Sequence, residues 1–424
     1  MTSPFDVRSA DDRFVWHPYT QHGLNQTPVA VSRAQGAYLY TEDGRRIFDA
    51  VSSWWVTLHG HAHPKISAAI AEQAATLEQV IFAGFTHEPA ARLAAELIQR
   101  APAGLQRVFY SDDGSTAVEV AVKIALQYHR NRGEDRRLVA ALDNAYHGDT
   151  FGAMSVSGRG LFTEPFSTLL FDVARLPDPV DHDVAVALEQ LIAQRGRDLA
   201  AVIVEPMLLG AGGMRMWAAE SLRAIRDLTA THGIPLIADE VLTGFGRTGP
   251  MFACQHAGIS PDLMCLSKGL TGGALPLGAT LVREELFESF RSDDRRRTLF
   301  HGHSFTANPI ACAASLASLS LLDDGCAAER QRIEQAHRCA AERFATIPGV
   351  FNPRVLGTVL ALEIESGPDG YLNAVGPSLN RFALGRGILL RPLGNTIYVL
   401  PPYCSTDEDL TGAYDVIAEF ASAR

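Results

Sequence analysis

No two of the six cysteines stand as Cys-x-x-Cys, and none has the spacing of a zinc ligand set. A metal centre built on cysteine is therefore not expected, and the thiols read as small core residues in a reducing compartment. Positive charge is also scarce. Lysine and arginine number 37 against 48 aspartates and glutamates, a formal net charge of −11 at pH 7. That balance argues against a nucleic-acid partner or an anionic membrane surface. The basic run Arg295-Arg296-Arg297 follows Asp293-Asp294 and reads as a solvated loop. No uncharged apolar stretch is long enough to span a bilayer. The N-terminus carries acids and no apolar leader, so the cytoplasm is expected. No Gly-x-Gly-x-x-Gly opens a βαβ unit, which speaks against a dinucleotide dehydrogenase. Internal repeats and low-complexity segments are absent as well.

What is present is an ordinary globular composition, 47% apolar and 20% charged over 424 residues. That length calls for two lobes or more. Ala37–Tyr40 and Arg46–Ala50 flank the turn Glu42-Asp43-Gly44, a hairpin signal. A helix is expected from about His63, with Pro64 near its start. Strands at 107–111, 137–142, 200–205 and 234–239 then alternate with helices at 116–128, 184–194 and 218–232. Alternation of this kind implies an α/β fold: a mostly parallel sheet flanked by helices. Beyond about Asn308 the pattern changes to helices at 310–322 and 331–346, then short strands near 359–364, 388–391 and 397–400. The expected organisation is a large lobe over 61–308 and a smaller α+β lobe over 309–424. The N-terminal segment 1–60 joins the smaller one.

Three apolar runs end in charged residues. Ala201-Val202-Ile203-Val204 leads to Glu205, Ile234-Pro235-Leu236-Ile237-Ala238 to Asp239, and Leu263-Met264-Cys265-Leu266-Ser267 to Lys268. Each has the length and content of a buried parallel strand. In one parallel sheet all three charges emerge at the carboxyl edge, where open α/β sheets bind ligands. A lysine and an aspartate brought together there suit pyridoxal phosphate. The lysine would bond to its aldehyde and the aspartate would pair with its pyridinium nitrogen.

Phe109–Glu119 runs strand, tight loop, helix through Asp112-Asp113-Gly114-Ser115-Thr116. Glycine admits close backbone approach, and free N–H groups at a helix start attract an anion. Thr116 with Glu119 also fits a simple capping box. Beside the lysine and aspartate, a phosphate site is the favoured reading. His59, His61 and His63 alternate without a supporting carboxylate or cysteine cluster, so loop hydrogen bonding is favoured over metal. One of Trp54 and Trp55 can be core while the other lines a pocket. Tyr146 follows a strand, where its ring can stack on a planar group or pack in the core. Arg247 and Arg391 are candidate carboxylate clamps or surface ion pairs.

In this order the pieces resemble the class III aminotransferases of the fold-type I pyridoxal-phosphate enzymes. The likeness covers essentially the whole chain. It is most specific at Ile237-Ala238-Asp239-Glu240-Val241, Gly244-Phe245-Gly246-Arg247-Thr248-Gly249 and Leu266-Ser267-Lys268-Gly269-Leu270-Thr271-Gly272-Gly273. His17-Pro18-Tyr19-Thr20, Ser52-Ser53-Trp54-Trp55, the stretch Ala145–Ser155, Gly210–Arg215 and Leu400-Pro401-Pro402-Tyr403 resemble the branch that serves biotin synthesis. That branch implies S-adenosylmethionine as amino donor and 8-amino-7-oxononanoate as acceptor.

The resemblance also implies roles. Lys268, Asp239 and Tyr19 would be catalytic. Gly114 and Ser115 would bind the phosphate, and Tyr146 would stack on the ring. Tyr19, Trp54, Tyr146, Gly302, Arg391 and Arg247 would meet substrate. His303 and Ser304 would reach the phosphate of a neighbouring subunit, so a homodimer with shared sites is expected. No metal is called for. The chain departs from the family at His303-Ser304, where Pro-Thr is commoner, and at Asp113, where a serine is expected. A carboxylate beside a phosphate is unfavourable unless it points away or caps the helix. The rivals weighed are an ω-amino-acid aminotransferase and a non-catalytic protein that has kept the fold.

Overall fold

Among the described residues, the alternating segments fold into a mixed sheet of seven strands, and the hairpin and the C-terminal strands build smaller sheets beside it. The computed structural model describes residues 5–24, 27–364 and 370–424. Residues 1–4, part of the N-terminus read above as lacking a leader, lie outside the described residues. In chain order the strands are β1 (Val31–Gln35), β2 (Tyr38–Thr41), β3 (Arg46–Asp49), β4 (Leu105–Ser111), β5 (Leu138–Leu142), β6 (Val173–Leu176), β7 (Leu199–Val204), β8 (Leu208–Leu209), β9 (Arg215–Met216), β10 (Leu236–Asp239), β11 (Leu263–Leu266), β12 (Gly278–Arg283), β13 (Val350–Leu356), β14 (Val359–Ile364), β15 (Ile388–Leu389) and β16 (Thr396–Val399).

The large sheet has the order β4-β12-β11-β10-β7-β5-β6. β11, β10, β7, β5 and β6 pair in parallel. β12 alone is reversed, antiparallel to both β11 and β4. Its direction follows from its connection. The segment 267–277 between β11 and β12 holds only a 3-10 turn, too little chain for a crossover helix. Every residue of β5, β7, β10 and β11 is buried, as strands covered on both faces require. On one face, Val118, Ala121 and Ile124 of the helix Gly114–Asn131 pack with Ile203, Ile237, Leu263 and Cys265. The alternate strand residues Val202, Val204, Ala238 and Met264 join Leu222 and Ile225 of the helix Ala219–Thr231 in a second core.

The hairpin β2–β3 forms as its turn signal implied. β15 extends that sheet in parallel with β3, so residues 46–49 and 388–389 share one sheet. β13, β14 and β16 make a separate antiparallel sheet. The helices expected at 310–322 and 331–346 are Pro309–Leu319 and Asp324–Phe344. The second starts early because Asp323 caps it, accepting from Cys326 N at 2.9 Å. Gly244–Gly249 has the dinucleotide glycine spacing, but that loop opens no βαβ helix. Among the described residues no single helix is long and apolar enough to cross a membrane.

Candidate active site

β7, β10 and β11 lie side by side, with Ala238 opposite Val204 and Asp239 opposite Cys265. Glu205, Asp239 and Lys268 therefore leave the sheet at the same edge. A cavity of about 640 Å³ opens there, lined by Gly114, Ser115, Tyr146, Asp239 and Lys268 among others. Burial holds Lys268 below the usual ammonium range. Asp239 and Glu205 pull it back up, and Arg247 adds to the lowering. Lys268 Nζ stands 4.6 Å from the centre of the Trp55 ring. A desolvated lysine releases its proton more readily and becomes a better nucleophile.

Asp239 is nearly buried, and its Oδ2 lies 2.7 Å from His147 Nδ1. Its Oδ1 accepts from Val241 N at 3.1 Å. One carboxylate is thus fixed in place by an imidazole and a backbone N–H. Behind Tyr146, Glu205 accepts from Tyr146 N at 2.8 Å and Gly210 N at 3.0 Å. Burial pushes its carboxyl up to about 7, His147 pulls down, and Asp239 adds to the rise.

The phosphate-type loop starts the helix Gly114–Asn131. Asp113 is its cap: it accepts from Thr116 N at 2.7 Å, and Thr116 Oγ1 accepts from Asp113 N at 3.0 Å. The capping box is therefore Asp113 with Thr116, not Thr116 with Glu119. Glu119 turns instead to Thr150 Oγ1 at 2.6 Å and Gly152 N at 2.7 Å. The extra carboxylate at 113 is spent on the helix end. A Cβ on Gly114 would stand 2.6 Å from Val241 Cγ1. On Gly148, whose φ is 127°, it would stand 2.3 Å from Ser115 Oγ. Backbone thus lines the cradle where a side chain would fill it, and the first N–H groups of a helix lack partners within it. Cradle, carboxylate and buried amine fit the phosphate, ring nitrogen and aldehyde of pyridoxal phosphate.

The mouth is aromatic. Tyr19 Oη donates to Asp149 Oδ2 at 2.5 Å and lies 3.3 Å from Tyr146 Oη. The Tyr19 and Trp54 rings meet edge to face at 5.4 Å, and the Arg391 guanidinium stacks 4.0 Å from the Trp54 centre. Burial, then the bond to Asp149, lifts Tyr19 to about 12. Burial lifts Tyr146 too, so both hydroxyls keep their protons at neutral pH.

The class III aminotransferase family matches residues 19–420, nearly the whole chain and all of this site. The chain belongs to that family. It is a class III aminotransferase, and its cofactor is pyridoxal phosphate. The adenosylmethionine-8-amino-7-oxononanoate aminotransferase of Synechococcus elongatus is 51% identical over 416 residues, covering 96% of this chain and 97% of its own. The crystal structure of the enzyme of that name from Methanocaldococcus jannaschii superposes with TM-score 0.95 at 32% identity, over 98% of both chains. An omega transaminase from Pseudomonas jessenii, solved in complex with PMP, superposes with TM-score 0.92 at 26% identity, over 98% of this chain and 97% of its own.

The aminotransferase fold gathers Lys268, Asp239, Gly114, Ser115, Tyr146, Tyr19, Trp54 and Arg391 around one cavity and its mouth. It does not bring Arg247 there as a substrate clamp. Arg247 is buried, with Nη1 donating to Pro401 O at 2.9 Å and Nη2 to Trp55 O at 3.4 Å. The guanidinium does not line the cavity but lies beneath the Trp55 loop, where its Nε has no hydrogen-bond partner among the described residues. Gly302, His303 and Ser304 do not line this chain's cavity. They lie between Phe300 and Phe305, with Gly302 and Ser304 exposed and His303 half-buried, and Ser304 O accepts from Gln79 Nε2 at 2.6 Å.

Sequence reasoning gave no role to His147 or Thr150 and left open which of Trp54 and Trp55 is buried. His147 pairs with a residue 92 positions on, a distance no local pattern encodes. Trp55 was one of two adjacent indoles, and only the fold shows that it is the buried one, facing the lysine. Thr150 Oγ1 lies 2.8 Å from Ser115 Oγ. The three histidines of the Leu58–Pro64 stretch each have a partner. His59 pairs with Ser318, His61 with Asp49, and His63 caps the helix Pro64–Thr76.

Proposed function

We propose that this enzyme moves an amino group from S-adenosylmethionine to 8-amino-7-oxononanoate, giving 7,8-diaminononanoate for biotin synthesis. The observation that carries the reading is the mouth of the cavity. Tyr19, Trp54 and Tyr146 form an aromatic wall, with Arg391 laid on Trp54. Aromatic faces serve a sulfonium cation and an apolar chain alike, and a guanidinium suits the carboxylate that each substrate carries. The names of the Synechococcus elongatus and Methanocaldococcus jannaschii relatives support the same substrates.

Pyridoxal phosphate, when bound, supplies an aldehyde that takes up the amino group and a ring that spreads the electron pair left on the substrate carbon. Gly114 and Ser115 would hold its phosphate with helix N–H groups, and Asp239, steadied by His147, would keep the proton at its pyridine nitrogen. Lys268 Nζ takes the proton from the amine-bearing carbon of the donor and delivers one to C7 of the acceptor, as a general acid and base must. Tyr146, which lines the cavity, would pack against the ring. The hydroxyls of Tyr19 and Tyr146, protonated at working pH, orient the substrates.

The enzyme works as a cytoplasmic homodimer, in which Gly302, His303 and Ser304 of one subunit complete the site of the other. Among the described residues, 61–308 make up most of the cofactor lobe, on which the helix Pro309–Leu319 packs through Ala314 and Ala317 against Ile66, and the rest make the smaller lobe. Product analysis tests the reaction. Purified enzyme given S-adenosylmethionine and 8-amino-7-oxononanoate is expected to yield 7,8-diaminononanoate by mass spectrometry. Product only with lysine, ornithine or 4-aminobutyrate as donor would overturn the proposed donor.

A further inference from the structure

Both indoles of the site stand on a loop whose backbone is unfavourable. Ser52, Ser53 and Trp55 have φ of 50°, 62° and 69°, and none is glycine. Ser53 combines its φ with a ψ of −77°, outside the left-handed region. Such conformations persist only where their surroundings over-determine them. Much of that determination comes from Asp49, the last residue of β3, whose side chain is wholly buried. Its Oδ2 accepts from Ser53 N at 2.6 Å and Ser53 Oγ at 3.1 Å, and lies 2.8 Å from His61 Nε2. Its Oδ1 accepts from Val51 N at 3.3 Å.

A carboxylate removed from water is costly unless it is paired and fully hydrogen-bonded. Turn capping accounts for the contacts to Val51 and Ser53. It does not account for the imidazole, which arrives from a separate segment. His61 is anchored there by its backbone, bonding Gly36 in both directions at 2.7 and 3.1 Å. The loop's other ends are held too. Ser52 Oγ donates to Leu400 O at 2.8 Å, Trp55 Nε1 to Tyr398 Oη at 3.0 Å, and Arg247 to Trp55 O.

We infer that Asp49 and His61 are a positioning pair for the reaction: they hold the loop Ser52–Trp55 in the shape that sets Trp55 against Lys268 and Trp54 under Arg391. Neither touches substrate. Turning the peptide at Ser53 would carry both rings away, one from the amine and the other from the guanidinium and Tyr19. His61 locks the Asp49 oxygen that receives the Ser53 N–H. Loss of His61 frees that oxygen and relaxes the loop.

The test compares His61→Leu with His61→Gln, whose amide keeps a donor for Oδ2. Two readouts are taken. One is the near-ultraviolet circular dichroism of the cofactor-free protein, which reports the tryptophans. The other is a half-reaction with whichever amine the wild-type enzyme accepts. A wrong donor then overturns the proposed substrates and leaves this inference standing. His61→Leu is expected to keep its far-ultraviolet spectrum, change its tryptophan signal, and lose about tenfold to a hundredfold in the saturated rate. A rise in KM is expected as Arg391 loses its platform. His61→Gln should recover most of both readouts. Unchanged tryptophan signal and rate in His61→Leu, or a His61→Gln no better than His61→Leu, overturns the inference. If His61→Leu does not fold, the same readouts on Asp49→Asn against wild type decide, with wild-type values overturning it.

Discussion

Glu205 faces two opposing demands. It must stay buried behind Tyr146, and it must accept two backbone N–H groups. Burial dominates and lifts its carboxyl from 4.5 to about 7. The native protein then holds a proton that the unfolded chain releases between those values. Stability from this group therefore falls as pH rises through the window, and the loss is complete above it. The effect amounts to at most about 3 kcal/mol. Urea unfolding of the cofactor-free protein should show wild type losing more stability than Glu205→Gln between about pH 5 and about pH 8; equal losses would contradict the assignment. Lys268→Ala should fold normally yet lose the cofactor's visible absorbance on gel filtration. Its turnover should drop by about a hundredfold to ten-thousandfold or more, and retained activity would remove Lys268 from its proposed role. Both residues, with Asp239, were legible because each ends a short apolar run. His147 was not, since it meets Asp239 only through the sheet. Arg247 was legible as an arginine but not as a buried one, because its carbonyl partners lie on segments near residues 55 and 401.

Among the elements, the helix Gly114–Asn131 carries both packing and binding. Its cap at Asp113 keeps a carboxylate engaged beside an anion cradle. Asp113→Ala should cost about 1 kcal/mol in unfolding free energy. Gly114→Ala should cost about 1–3 kcal/mol through its clash with Val241 and weaken cofactor binding by about tenfold on titration of the apoenzyme. A neutral Gly114→Ala would show that the loop has more room than its 2.6 Å contact allows. Parallel strands were readable from their continuous apolar runs. β12 was not readable as reversed, because Gly-Ala-Thr-Leu-Val-Arg carries no sign of direction, which comes from the short link before it. Early starts such as Asp324 and Gly114 follow caps that periodicity does not count.

For the whole molecule, β3 and β15 join residues far apart in the chain, and the double-tryptophan loop hangs from that junction. Change of pattern near Asn308 was visible in the sequence, whereas the pairing of 46–49 with 388–389 depends on long-range register. Phe85, Phe300 and Phe305 stand largely exposed, the last two around the turn that holds His303 and Ser304. Large apolar side chains left this exposed suit a covering surface. The proposed homodimer predicts a sedimenting species of twice the 45.8 kDa chain mass, and Ser304→Ala should weaken cofactor binding without leaving the dimer. A monomer with full activity would contradict shared sites. The most direct measurement follows one half-reaction by absorbance, mixing cofactor-loaded enzyme with S-adenosylmethionine alone. Conversion of the aldehyde form of the cofactor to its amine form, reversed by 8-amino-7-oxononanoate, is the predicted result. No conversion with S-adenosylmethionine, alongside ready conversion by another amine, would contradict the proposed donor.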